Sequence, residues 1–375
     1  MTTNATEIPG PDRLPADAGA PLTVLFSFLS RADATPLDQR RRGEGHLLDH
    51  QGRVITDPAH DPSINAFEAD PNLNFEKWGE YWRKVHGVRF IYQEDVDDRS
   101  VERLLRYDQI HRVTAGPTSL TPVPYHPPLD DDGRLFPTII GHVEPYRRPR
   151  WDGVAYLGFA SLNDLVAVLA TERVRSKIYS VHVRTRKLRT SEMPLISGST
   201  RQSIFGFSRG RSILPEDQTI FRDIAPVLAR QFVILPSQTG HDAVALVKTH
   251  VRRPDLDRSA FQWRWLHEHA NLVLAQADTT RLVRRYVQLH NVGPTVEGEP
   301  FFHPETSLID GVTFMASSTM RDVETFLMSE SHAVIAADEQ SISTAEAGDY
   351  WSGVNFSIVD RLPPEKASKR DSGAA

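Results

Sequence analysis

Hydrophobic and polar positions along this chain follow two rhythms that succeed one another in a fixed order. Runs rich in β-branched and aromatic residues read as strands, and stretches with apolar residues every three or four positions read as helices. The first strand is LTVLFSFLS, Leu22 to Ser30, and a second opening strand, AVALVKTHV, spans Ala243 to Val251. Each is followed by a helical stretch, FEKWGEYWRKVHG or AFQWRWLHEHANL, carrying Trp-x-x-x-His: Trp82 with His86, and Trp265 with His269. Next come the strands RYDQIHRV, Arg106 to Val113, and RYVQLHNV, Arg285 to Val292, identical at five of eight positions. A third block, DGVAYLGFASLND from Asp152 to Asp164, aligns without a gap on DGVTFMASSTMRD from Asp310 to Asp322. Ser161 and Thr319, each three residues before an Asp, are expected to cap the helices that follow. A weaker fourth match pairs DQTI, Asp217 to Ile220, with EQSI, Glu339 to Ile342, each ahead of an apolar strand.

Ordered self-similarity marks a duplicated unit. Strand, helix, strand, strand, helix, strand is the ferredoxin-like order, so the fold class is α+β with two tandem ferredoxin-like domains. The spacing predicts a first domain over residues 21–240 and a second over 241–362. The first is longer by insertions near 32–73, 116–140 and 177–213, which read as loops on a finished scaffold. Residues 1–20 and 363–375 are polar and rich in Pro, Ala or charge, and are expected to be disordered tails.

A sheet with helices on one face must bury its other face. Two copies solve this within one chain by packing their antiparallel sheets face to face. In RYxQxH the alternating set is Tyr107, Gln109 and His111, then Tyr286, Gln288 and His290. Burying these polar groups against helices is costly, so they are expected to line the cavity between the sheets, with Ile110 and Leu289 turned to the helices. Trp82 and His86 share a helix face, as do Trp265 and His269. Such a Trp serves equally as core and such a His equally as a loop anchor. The chemical reading is that the histidines move protons near neutral pH.

Composition narrows the choices. Across 375 residues the formal net charge is -6, Lys and Arg are scattered, and no nucleic-acid partner is expected. There is no cysteine, which excludes disulfides, thiolate nucleophiles and cysteine-held metals. The N-terminus lacks a signal-peptide pattern and no apolar run reaches membrane-spanning length, so a cytoplasmic protein without a membrane partner is expected. GFSRG, Gly206 to Gly210, matches a nucleophile elbow but lacks the strand and helix that motif requires. His267 and His269 lie on different sides of a helix and cannot share a metal. His142 and Glu144 flank an expected strand near the pocket mouth, and His303 lies in the short loop EPFFHPET before the third strand of the second copy; loop histidines are more often solvated than functional.

The aromatic-flanked Trp-x-x-x-His helix followed by a Tyr- and His-bearing strand resembles the EthD-like family of the dimeric α/β-barrel superfamily. Family members normally carry one unit per chain and pair two chains into a barrel. The resemblance therefore implies a fused dimeric α/β barrel closing within one polypeptide, as a monomer with an internal pseudo-dimer or as a homodimer. It carries catalytic roles onto His86, His111, His269 and His290. The substrate-binding positions expected beside them are Tyr107, Gln109, Tyr286, Gln288, Trp82 and Trp265. The leading expectation is a cofactor-independent lyase or isomerase acting on a small hydrophobic or aromatic carbonyl compound, with no metal. The alternatives are a haem-dependent dehydratase or oxidase, and a non-catalytic small-molecule binding protein.

Overall fold

The computed structural model describes residues 21–31, 78–79, 82–91, 99–113, 116–117, 151–171, 221–237, 243–344 and 348–368. The expected insertions at 32–73 and 177–213, nearly all of 116–140, and the candidates His142, Glu144 and GFSRG lie outside the described residues.

Eight antiparallel strands form one closed barrel. They are β1 (Thr23–Arg31), β2 (Leu104–Arg112), β3 (Gly153–Phe159), β4 (Phe221–Leu235), β5 (Val244–His250), β6 (Arg285–Asn291), β7 (Gly311–Ser317) and β8 (Tyr350–Asp360). Around the ring the order is β1-β3-β2-β8-β5-β7-β6-β4, closing back on β1. The strands of each half are therefore neighbours in the order fourth, first, third, second. The halves are joined by hydrogen-bonded ladders, β2 on β8 and β4 on β6, and not by the stacking of two separate sheets. Pairing every edge removes the exposed N–H and C=O groups that an open sheet presents.

Helices cover the outside. α1 begins as a π-wound turn, Trp82–Gly87, and continues through Val88–Ile91. α2 is Leu162–Ala170, capped by Ser161, whose side chain accepts the Asp164 N–H. α3 runs through Arg258–Arg264, a π-wound turn Trp265–His269, and Ala270–Ala275. α4 is Ala277–Leu282, α5 is Met320–Leu327 and α6 is Glu330–Glu339. Thr319 caps α5 in a full capping box with Asp322, so both expected caps form. Both Trp-x-x-x-His segments are wound as π turns, where an α-helix is the expectation from spacing. No helix among the described residues is long and apolar enough to cross a membrane.

The barrel interior is filled by alternate strand residues: Val24, Phe26 and Phe28 of β1, Ile110, Val154 and Tyr156, then Val287, Leu289, Val312, Phe314 and Trp351. Tyr107, Leu157 and Phe90 belong to the outer layer under α1 and α2, and Tyr286, Leu246 and Leu266 to the layer under α3 and α5. This reverses the expected strand faces. Ile110 and Leu289 point into the barrel, while the Tyr, Gln and His sets lie beneath the helices.

The end of the chain also departs from expectation. Residues 363–368 of the stretch read as a loose tail lie against the barrel. Ser368 donates its N–H to the Val233 carbonyl at 2.8 Å, and the Val233 N–H is donated to Ser368 Oγ at 2.9 Å.

Candidate functional site

The polar residues of RYxQxH are satisfied where they lie. A π turn lets a carbonyl meet partners outside the regular helical ladder. The Trp265 carbonyl accepts the Ala270 N–H five residues on and also Gln288 Nε2 at 2.9 Å. Gln288 Nε2 also bonds the Tyr286 hydroxyl at 2.8 Å, and Gln288 Oε1 faces His290 Nε2 at 3.1 Å. The first half repeats this arrangement: Gln109 reaches the Trp82 carbonyl at 3.1 Å and the Tyr107 hydroxyl at 2.7 Å, and His111 Nε2 faces Gln109 Oε1 at 3.3 Å. With partners supplied by helix and strand, burial of these side chains is not costly, and that is why the face assignment inverts.

Each tryptophan covers its strand histidine. Trp82 stacks on His111 with ring centroids 4.6 Å apart and 11° between planes, and Trp265 stacks on His290 at 4.9 Å and 21°. Glycines leave room for the indoles. A Cβ on Gly153 would stand 2.9 Å from Trp82 Cζ3, and one on Gly311 only 2.2 Å from Trp265 Cζ3. These are the glycines of the two DGV motifs.

The halves then diverge. In the second, β5 supplies His250 and Lys248, and α6 supplies Asp338 and Glu339, which meet His269 of α3 and Lys248. His250 lies 4.9 Å from the Trp265 ring and its Nε2 meets Thr313 Oγ1 at 2.9 Å. His269 Nδ1 meets Asp338 Oδ2 at 2.7 Å, and its Nε2 is 3.9 Å from Glu339 Oε1. Lys248 pairs with Glu339. The strand registers put Leu29 and Gly153 together in the first half as His250 and Gly311 pair in the second, and Ser27 and Ala155 together as Lys248 and Thr313 pair. The first half thus carries Leu29, Ser27 and Ala155 where the second has His250, Lys248 and Thr313. His86, the counterpart of His269, is half-buried on its π turn.

The electrostatics follow from this crowding. Burial pushes the His250 and His290 imidazoles down to about 3, with Arg230 adding to the effect at His290. Burial, then Arg83, does the same to His111. Burial opposes the Glu339 carboxylate, yet Lys248, His250 and His269 outweigh it and hold its pKa at about 2. Near neutral pH the cluster therefore contains neutral His250 and His290 beside an ionised Glu339. Trp265 adds one further feature: its Nε1–H is buried and has no acceptor among the described residues.

Five of the ten residues singled out in the sequence, Trp265, His269, Tyr286, Gln288 and His290, meet in this layer, and Trp82, His86, Tyr107, Gln109 and His111 occupy the equivalent layer of the first half. His250, Lys248, Thr313, Asp338 and Glu339 were not singled out. A signal for the first two exists, because Lys248 and His250 sit two apart in a strand whose counterpart reads Ser27 and Leu29. Asp338 and Glu339 are placed by α6 and carry no local signature. Among the described residues no group of three or more His, Asp or Glu forms a metal site. His303 is buried and its Nδ1 accepts the Glu305 N–H, a loop-anchoring bond.

Residues 253–355 match the EthD domain family. No curated protein matches the chain. An anthrone oxidase-like protein of known structure is similar over 92% of this chain and 95% of its own, at 12% identity and a TM-score of 0.39. A chlorite dismutase variant from Candidatus Nitrospira defluvii is similar over 90% of this chain and 92% of its own, at 9% identity and a TM-score of 0.35.

Proposed function

We propose that this chain is a cofactor-independent lyase or isomerase, of dehydratase, cyclase or decarboxylase type, moving protons on a hydrophobic or aromatic carbonyl compound. We place the reaction beneath α3 in the second half, and read residues 21–240 and 241–362 as two fused ferredoxin-like units of which the second keeps the chemistry. The matching strand order of the halves and the gapless DGV repeat support the fusion. Closure of the barrel within one polypeptide supports a monomer.

The observation that carries this reading is the Trp265 Nε1–H, buried and without an acceptor among the described residues. Buried donors without acceptors are rare, and this one sits within ring contact of His250 and His290, on the turn that carries His269. A substrate carbonyl oxygen supplies the missing acceptor and is polarised by it. Asp338 fixes His269 through Nδ1, leaving Nε2 as the atom that takes a proton adjacent to the carbonyl and returns it. Gln288 and Tyr286 hold the Trp265 turn and His290 in place, so they are positioning residues.

A haem reading finds less support. Nε2 of His111, His250 and His290 each faces a protein oxygen within hydrogen-bond distance. None of them presents that nitrogen to an iron.

The test is deuterium incorporation. Purified protein is incubated in heavy water with a panel of aryl ketones and β-keto aromatic compounds, and exchange beside the carbonyl is followed by NMR. Wild type is expected to introduce label into at least one member. His269→Ala is expected to abolish labelling and Trp265→Phe to reduce it tenfold or more, on the order of one lost hydrogen bond to a developing charge, while His86→Ala retains it. Full labelling by His269→Ala sinks the assignment. Tight retention of a panel compound without exchange favours the non-catalytic binding protein, and an absorption band near 400 nm in the purified protein would reinstate haem.

A further inference from the structure

The opposite face of the sheet, inside the barrel, holds a second polar cluster that the proposed chemistry does not use. Arg106 and Arg285 occupy equivalent positions in the two RYxQxH strands and both point into the lumen, each guanidinium over the equivalent aromatic ring of its half, Tyr156 at 5.3 Å and Phe314 at 5.2 Å. Their carboxylates come from different sources. Arg106 bonds Asp108 two residues along its own strand. The position equivalent to Asp108 in the second half is Val287, and Arg285 takes its carboxylate from Glu365, beyond the end of β8.

Glu365 is held as a ligand is held. Arg285 Nε donates to Oε2 at 2.8 Å and Arg285 Nη2 to Oε1 at 2.5 Å, the two-pronged geometry of guanidinium and carboxylate. Arg106 Nη1 approaches Oε1 at 3.5 Å and the Ser237 N–H donates to Oε2 at 3.2 Å. The segment bearing Glu365 belongs to no strand. It follows Pro363 and Pro364 and is fixed beyond Glu365 by the Ser368 pair of bonds to Val233, where the β4–β6 register shifts.

We propose that this end of the barrel is a carboxylate-binding site that the chain fills with its own Glu365, so that residues 361–368 form a latch released by a free carboxylate. With Glu365 in place, two guanidinium groups face two carboxylates. Without it, one buried cation in excess remains in a site shaped for two oxygens, and an exogenous carboxylate restores the balance. The proposal is independent of the histidine cluster, because the two sites lie on opposite faces of the sheet.

Chemical rescue tests it. Thermal unfolding of full-length Glu365→Ala and Glu365→Gln is followed against sodium acetate, with sodium chloride at equal ionic strength as the control. The variants are expected to melt several degrees below wild type, and acetate is expected to raise their midpoints saturably where chloride does not. Adding Arg285→Met is expected to abolish the response. A second measurement on the unaltered protein covers the case in which the variants do not fold: amide hydrogen exchange at Ser237 and Ser368, which acetate is expected to accelerate several-fold over chloride. Midpoints of the variants that respond alike to acetate and chloride would overturn the site. Equal exchange in the two salts would overturn the latch.

Discussion

Gln288 and Gln109 do the same work in the two halves, each donating to a tryptophan carbonyl and a tyrosine hydroxyl. Replacing Gln288 by Leu leaves the buried Tyr286 hydroxyl without this partner and deprives the Trp265 carbonyl of its second donor. Loss of about 1–3 kcal/mol of stability is expected, read from the urea midpoint at unchanged slope. The buried histidines make a second prediction. A folded His250 or His290 binds no proton until about pH 3, whereas its ordinary value is 6.5, so between those limits the unfolded chain holds more protons. Stability therefore falls as pH drops from 6.5 toward 3, by up to about 1.4 kcal/mol per pH unit for each such histidine. Glu339 acts in the same direction lower down, because its folded carboxylate stays ionised to about 2 while its ordinary value is 4.5. His250→Leu, which installs the residue the first half carries as Leu29, is expected to flatten the upper part of this slope in urea titrations across that range. At this scale the sequence shows the chemical identities but not their surroundings. His269 is marked by its motif, while the Asp338 that orients it sits 69 positions away on α6, and no local pattern joins them.

The DGV motif gains a meaning at the level of elements. Gly153 and Gly311 open β3 and β7 where the indoles of Trp82 and Trp265 cross the sheet. Asp152 binds Arg112, and Asp310 binds Arg252 and Arg258 at 2.6 and 2.9 Å, tying the same strand ends to their neighbours. Gly311→Ala pushes a methyl against the Trp265 ring and is expected to cost about 1–3 kcal/mol. Near-ultraviolet circular dichroism should report the moved indole, and labelling beside the carbonyl should fall with it. Strand positions and both helix caps were legible because alternation and Ser/Thr-x-x-Asp spacing are local signals. The facing of β2 and β6 was not. Polarity alone turned Tyr107, Gln109 and His111 inward, whereas the π turn of α1 supplies a carbonyl that satisfies Gln109 on the helix side. The winding of a helix decided which face of a strand is polar, and nothing in a strand's own pattern reveals that.

Across the whole molecule, the strand order within one half recurs in the other, and so does the closure between them: each of the ladders β2 on β8 and β4 on β6 joins the second strand of one half to the fourth of the other. A chain ending at residue 240 would leave the edges of β2 and β4 unpaired, and is expected to elute as oligomers in size-exclusion chromatography. Co-expression with residues 241–375 is expected to return it to a single 1:1 species. The anchoring of residues 363–368 belongs to this scale as well, because their composition reads as tail and only the distant Arg285 gives Glu365 a place.

The closed ring also sets a schedule for synthesis. Arg361, the residue after β8, donates to the Leu104 carbonyl at the start of β2, a partner 257 positions earlier. At about 5–20 residues per second on the ribosome, β2 waits on the order of ten seconds to a minute for the strand that covers its edge. Over that interval β6 emerges and covers the edge of β4, but the edge of β2 stays open, and it is the side of the growing sheet that must be kept from other strands until β8 arrives.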